Sequence, residues 1–494
     1  MFITKRLRSH RVHRPRAARV HRRSLLAAAS GALVAASALS GCSLIDDGIE
    51  VVHIGYQSKT LNTVNAGTIM RDQGLFEKQL EALGARDGKR YRVVWHDFAS
   101  GAPLTAAMIA TQVDIGSMGD YPLVTNGSKS AEYSDAATEF VGTTGYNLQG
   151  SLNQVVVPVN SEVTTLGGLR GKQVSTSLGS AGDGMLATAL SNAGVDANDV
   201  KIANQDPSIG SAALEGGQVD AMAQFVPWPQ LMVYRGKGRL LYDGGQNGVP
   251  TFHGLVARKK FTAENPEVMV AFLTAMKKTN EYIAANPMQA VLRLSEITGI
   301  EPEVAYLYNG PNGMVSFDPT IKPQFADTFR QVKEFLVKRG SVSADFDTAA
   351  FENDSYLQKV YGAKLPAMTA STANPTALTG YDDVCRRPVD DPGQASEVWM
   401  AGADDTEKAA TPTCLLRRIA GSGKQIRAAY VPDPQNGLKL FADHAFWVSD
   451  PQAPALERLL PFATAESAQN YLKQHPGAAQ LDYSAALREA TPKQ

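Results

Sequence analysis

Gln173-Val174-Ser175-Thr176-Ser177-Leu178-Gly179-Ser180-Ala181-Gly182-Asp183-Gly184 reads as a short strand, a glycine-rich loop and the first turn of a helix. The same succession repeats from Glu50 to Gly254. Runs rich in β-formers at 50–56, 91–98, 113–117, 140–143, 155–157, 173–175 and 221–225 alternate with longer helical patterns, one of them carrying Ile69, Leu75, Phe76, Leu80 and Leu83. Strands that alternate with helices specify an α/β fold.

Open α/β sheets bind ligands beyond the carboxyl ends of their strands, so the strand exits are the candidate site. Gln57 and Ser58 follow the first run, Ser100 and Gly101 the second, Gly119 and Asp120 the third; Ser180, Ala181 and Asp183 lie in the stretch quoted above. The last three exits open helices, whose free N–H groups and positive dipole ends favour an anion. Asp120 and Asp183 place negative charge at two of those starts. Either they cap the helices and complement their dipoles, or they meet the amine of a zwitterionic ligand. Trp228, after Phe225 and Pro227, is placed to stack on a ligand or to pack in the domain; Tyr121 and Tyr146 are weaker candidates of the same kind. His253 is a hinge or ligand candidate, whereas His53 and His96 lie inside strands.

No carrier of catalysis is visible in this region. The 179–184 loop lacks the Gly-Lys-Ser/Thr ending of a phosphate loop and the spacing of a dinucleotide site, and no nucleophile elbow, His-Glu-x-x-His or Cys-x-x-Cys occurs. The expectation is no enzyme and no cofactor.

The ends set the compartment. Lys5, Arg6, Arg8, Arg11, Arg14, Arg16, Arg19, Arg22 and Arg23 precede an apolar run from Ser24 to Ala38 that is too short to span a bilayer, followed by Leu39-Ser40-Gly41-Cys42. This reads as a signal peptide ending in a lipoprotein box, with Cys42 lipidated and export by the general or the twin-arginine route. Removing those nine cations from a net charge of −1 leaves −10, which argues against nucleic acid as a partner. No later segment reads as a transmembrane helix. Past Asn265-Pro266 long helices run to about Gly362, then a stretch at 366–380 rich in Ala, Thr, Pro and Ser suits a linker, and a further domain should begin near Tyr381. With Cys42 spent on lipid, Cys385 and Cys414 remain as an even pair in an oxidising compartment, which predicts a disulfide.

Six stretches carry a resemblance: Ile54-Gly55-Tyr56, Gly74-Leu75-Phe76-Glu77, Val113-Asp114-Ile115-Gly116, Leu169 to Val174, Leu214 to Ala221, and Asn286-Pro287. In this order and spacing the chain resembles the nitrate/sulfonate/taurine-type substrate-binding proteins of ABC transporters. The resemblance implies a two-lobe periplasmic-binding-protein-like fold of type II with a hinge cleft. The lipoprotein signal peptide is put at 1–42 and the solute-binding domain at 43–365. Lobe one is set at 51–145 and 252–362, lobe two at 146–251, and the return crossover near Thr251 to Leu255. It implies a monomer held by lipid outside the cell membrane, an ABC permease and ATPase as partners, and a small oxyanion-bearing organic such as a sulfonate or taurine-like compound as ligand. A related branch makes a thiamine precursor and depends on a cysteine-rich motif; no cysteine stands between Ser43 and Val384, so the heteroaromatic alternative is as a ligand.

Within a NosL-like domain set at 381–494, the stretch from about Ala429 to Tyr483 is similar to NosL-like copper lipoproteins through Tyr430-Val431-Pro432-Asp433, Ala442 to Val448, Leu460 to Ala463, Glu466-Ser467-Ala468 and His475-Pro476-Gly477. The likeness implies a small α+β domain with a helix near 465–473. The family's Cys-x-Met is absent at Cys385-Arg386-Arg387, so the expectation is no metal. The alternative is a copper-handling or copper-chelate-binding lipoprotein, in which Cys385, Met400, Cys414, His444 and His475 form the Cu(I) set.

Overall fold

The computed structural model describes residues 48–491; the leader with Cys42 lies outside the described residues. Strands β1 (Ile49–Tyr56), β2 (Arg90–Asp97), β3 (Ile115–Gly119), β4 (Thr138–Asn147), β5 (Asn153–Pro158), β6 (Gln173–Thr176), β7 (Lys201–Asn204), β8 (Ala221–Phe225), β9 (Gly238–Asp243) and β10 (Thr251–Arg258) form two five-stranded sheets. Lobe one has the order β2-β1-β3-β10-β4 and lobe two the order β7-β6-β8-β5-β9.

Each sheet contains one strand that runs against its neighbours. β10 is antiparallel to β3 and β4, and β5 is antiparallel to β8 and β9. These are the two strands that follow a crossover. A chain that enters a lobe from the cleft must run away from it, while β1, β3, β6 and β8 end there. The topology therefore delivers four strand exits to one gap between the lobes.

Three boundaries differ from the sequence expectation. Thr251–Leu255 is not the return crossover but the start of β10, a central strand buried on both faces, which erases the period-two signal. Tyr146 belongs to β4 of lobe one, so the crossovers are 148–152 and 244–250. The expected linker at 366–380 is docked: Leu365–Ala370 is a helix, Lys322 Nζ donates to the carbonyls of Met368 (2.6 Å) and Ser371 (2.9 Å), and Leu378 is buried.

The C-terminal domain adds β11 (Gly380–Asp382), β12 (Arg387–Val389), β13 (Ser396–Met400), β14 (Glu407–Ala409), β15 (Ile426–Pro432), β16 (Lys439–Phe441), β17 (Phe446–Ser449), β18 (Leu459–Phe462) and β19 (Ala479–Leu481). They form a hairpin β11-β12, a sheet β14-β13-β15-β16 and a sheet β18-β17-β19, with helices at Pro412–Ser422, Ala465–Gln474 and Tyr483–Ala490. The Cys385 and Cys414 sulfurs are bonded at 2.04 Å, joining the β11-β12 turn to the first turn of the Pro412–Ser422 helix, which Thr411 caps through the Cys414 N–H. Trp399 and Tyr430 of this domain share a core with Tyr306 and Tyr308 of the Pro302–Asn309 helix. No described helix is long and apolar enough to cross a membrane.

Candidate functional site

The cleft is built from helix starts. Gly101–Ile109 follows β2, Asp120–Ser130 follows β3, Ala181–Asn192 follows β6, Pro207–Glu215 follows β7 and Trp228–Tyr234 follows β8. Ser180 caps its helix by accepting from the Asp183 N–H at 3.3 Å, and Pro207 sits in the first turn where its missing N–H costs nothing. Glycine permits the close approach of the lobes. A methyl group on Gly119 would lie 3.5 Å from the Ala181 methyl and from His253 Nε2, and one on Gly184 would lie 2.0 Å from the Tyr121 ring. Tyr121 thus reaches from lobe one onto the Ala181–Asn192 helix of lobe two. The lobes are closed.

Between them, Ser58, Phe98, Asp206, Ser208 and Trp228 line a cavity of about 270 Å³. Trp228 and Phe98 are half-buried, and Ser58 Oγ donates to Asp97 Oδ2 at 2.6 Å while its N–H donates to Oδ1. Outside the lining of that cavity, His253 pairs with Gly119 in the β3-β10 register, and Ser100, Ser180, Ala181 and Gln57 are buried. Gln57 Nε2 donates to the Ser117 carbonyl at 3.2 Å. Gly101 serves packing: a methyl there would sit 2.4 Å from Pro122 Cβ.

Of the two alternatives for the aspartates, the structure gives both of them protein partners. Asp120 accepts from the Tyr121 N–H at 2.9 Å, and complete burial raises its carboxyl to about 7. Asp183 accepts from the Gly179 N–H at 3.0 Å and from Arg339 Nη1 at 2.6 Å. Arg339 belongs to lobe one, just past the Phe325–Lys338 helix, and stacks over Phe335 at 4.5 Å, so this pair spans the lobes. The sequence contains no local pattern that would join residues 156 positions apart.

Sequence reasoning also missed Asp206, Ser208, Gln205 and Gln224. Gln224 Oε1, Gln205 Oε1 and His253 Nδ1 are buried without a protein hydrogen-bond partner. The available signal was Asp206-Pro207, an N-cap residue before proline, but β7 before it is a polar edge strand with no apolar alternation. Elsewhere, His53 and His96 stack on each other. The copper alternative is not assembled. Both cysteines are in the disulfide, His475 stacks on Tyr471 at 3.8 Å and faces Asp450, His444 faces Asp443 and the Phe441 ring, and Met400 is buried in the core.

Residues 101–290 match the model of the NMT1/THI5-like family. A putative aliphatic sulfonates-binding protein of Bacillus subtilis (strain 168) is 24% identical over 330 residues, covering 66% of this chain and 93% of the relative. The taurine-binding periplasmic protein of Escherichia coli (strain K12) is 28% identical over 269 residues, covering 51% and 79%. Among solved structures, the alkanesulfonate-binding protein SsuA of Xanthomonas axonopodis pv. citri bound to MOPS superposes with a TM-score of 0.51 at 20% identity, covering 61% of this chain and 98% of that one. The architecture is periplasmic-binding-protein-like, and these relatives are small-molecule-binding proteins.

His253 gives the cleft a pH signature. Burial lowers its imidazole to about 3, so it stays neutral in the fold while the unfolded chain protonates near 6.5. Its contribution is fully present above pH 6.5 and is lost as pH falls toward 3. Asp120 acts oppositely: with a folded value near 7 and an unfolded one of 3.8, it adds stability as pH falls through that window. The two offset each other in the native protein. His253→Gln should therefore gain about 2 to 3 kcal/mol relative to the native chain between pH 7.5 and pH 4.5. Urea titrations at both pH values measure this; parallel shifts at the two would disprove the assignment.

Proposed function

We propose that this chain is the extracytoplasmic solute-binding component of an ABC importer, capturing a small oxyanion-bearing organic molecule, a sulfonate or taurine-like compound, between its lobes. The observation that carries the reading is the meeting of the Asp120–Ser130 and Ala181–Asn192 helix starts across the cleft beside a buried neutral histidine. Helix N-termini carry a partial positive charge and N–H donors, which suit an oxyanion. Phe98 and Trp228 supply apolar wall for the organic part. The likeness to sulfonate- and taurine-binding proteins supports the same ligand class. Capture and hand-over to a permease, not turnover, is the role proposed, with Cys42 as the lipid anchor outside the membrane. Chain Cys42→Ala should lose fatty-acid labelling; undiminished labelling would refute the anchor.

Thermal shift against short alkanesulfonates, taurine, nitrate and a thiamine-precursor pyrimidine tests the ligand class. A ligand at 100 times its Kd stabilises by about 2.7 kcal/mol, a readily measured shift. The expected result is stabilisation by one or more sulfonates. Stabilisation by the pyrimidine alone would overturn the oxyanion reading in favour of stacking on Trp228.

A further inference from the structure

The C-terminal domain touches both lobes and the hinge between them, and the contacts are specific. The two crossovers pack tightly on each other: a methyl on Gly150 would lie 2.3 Å from the Val249 carbonyl oxygen, and one on Gly244 would lie 2.5 Å from that of Asn153. Asp243, the last residue of β9, is buried at this junction, and its Oδ2 accepts from Ser151 Oγ of the first crossover at 2.9 Å. The same oxygen accepts from Asn436 Nδ2 of the C-terminal domain at 2.6 Å.

Asn436 is the tip of the β15-β16 hairpin, and the tip is rigid. The Asp433 carboxylate accepts from the Gln435 N–H (2.7 Å) and the Ala463 N–H (2.7 Å), Asn436 Oδ1 accepts from the Leu438 N–H, and Gly437 adopts φ +71°. Along its strands the hairpin grips lobe one. Tyr430 Oη donates to the Glu303 carbonyl at 2.9 Å, Arg427 pairs with the Glu303 carboxylate, and Lys439 Nζ donates to the Pro311 carbonyl at 2.9 Å. Phe441 of the same hairpin meets Tyr234 of lobe two with ring centroids 5.2 Å apart.

We propose that the C-terminal domain functions as a hinge brace, its β15-β16 hairpin anchored on the Pro302–Asn309 helix of lobe one and holding the lobe-two end of the hinge through Asn436 and Asp243. Rotation of lobe two about the crossovers moves Asp243 and Tyr234 relative to a hairpin fixed on lobe one. Opening the cleft therefore breaks the Asn436–Asp243 bond and leaves a buried carboxylate short of a donor. The brace biases the ligand-free protein toward the closed arrangement, so the domain sets how much of the population is competent to bind.

Hydrogen exchange of the ligand-free full chain at pH 7.5 tests this without knowledge of the ligand, and so fails or succeeds independently of the sulfonate reading. Asn436→Ala should raise exchange about tenfold at the helix start 180–184, where the lobes meet, as expected for loss of one hydrogen bond to a carboxylate. Exchange in β13 and β15 should be unchanged, showing that the C-terminal domain remains folded. Asn436→Asp, which sets two carboxylates together, should open the cleft further, and small-angle scattering should report a larger radius of gyration for it. Unchanged exchange at 180–184 in both variants overturns the brace, as does acceleration confined to the hairpin.

Discussion

Gly184→Ala is expected to raise the apparent Kd for the cleft ligand by about a hundredfold or more while leaving the fold at least as stable. The added methyl would stand 2.0 Å from the Tyr121 ring when the lobes are closed. Tyr121 has nowhere to go: it is buried and packs edge-on to Phe335 at 5.5 Å. The lobes can relieve the clash only by separating. If closure falls to about one molecule in a hundred, the observed affinity falls by the same factor. Within the open lobe the substitution is benign, because Gly184 lies inside the Ala181–Asn192 helix, where alanine is favoured over glycine by about 1 kcal/mol. Loss of binding with an unchanged or higher unfolding midpoint is thus the signature, and simple misfolding cannot produce it.

Lys439→Met should be among the most destabilising single changes in the C-terminal domain, at about 3 to 5 kcal/mol. Its ammonium pairs with the Glu397 carboxylate, their side chains being 8% and 0% exposed, and lies 5.1 Å from the centroids of both Tyr306 and Tyr430. The other Glu397 oxygen accepts from Tyr306 Oη at 2.8 Å and Thr406 Oγ1 at 2.7 Å. Removing the lysine leaves a fully buried carboxylate with hydroxyl partners only, whereas removing both charges does not. Lys439→Met with Glu397→Gln should therefore recover most of the loss, read from the fluorescence of Trp399 and Trp447 during urea unfolding. A small effect of the single variant, or an additive double variant, would mean the pair carries little of the domain's stability.

The α/β character and the cleft were legible in the sequence because strands that end in Gly, Ser or Asp loops announce themselves locally. The exits at Ser100, Gly119 and Ser180 open helices within one residue of the expected positions. β10 was not legible, since a strand buried on both faces shows no alternation, and neither was β7, a polar edge. The state of Asp120 and Asp183 was beyond local reading for a different reason. A carboxylate at a helix start looks the same in sequence whether it faces a ligand, an amide of its own helix or an arginine 156 residues away. Nor did the composition of 366–380 reveal a docked segment, because Leu365 and Leu378 are too far apart to form a periodic pattern.

Isothermal titration calorimetry of the native chain and of Gly184→Ala, each with taurine and with short alkanesulfonates, tests most directly the claim that two lobes close on an oxyanion-bearing organic solute. The account predicts one-to-one binding of at least one sulfonate by the native chain, with affinity reduced about a hundredfold in the variant. Absence of binding by the native chain across all the sulfonates, or equal affinities for native and variant proteins, would contradict it.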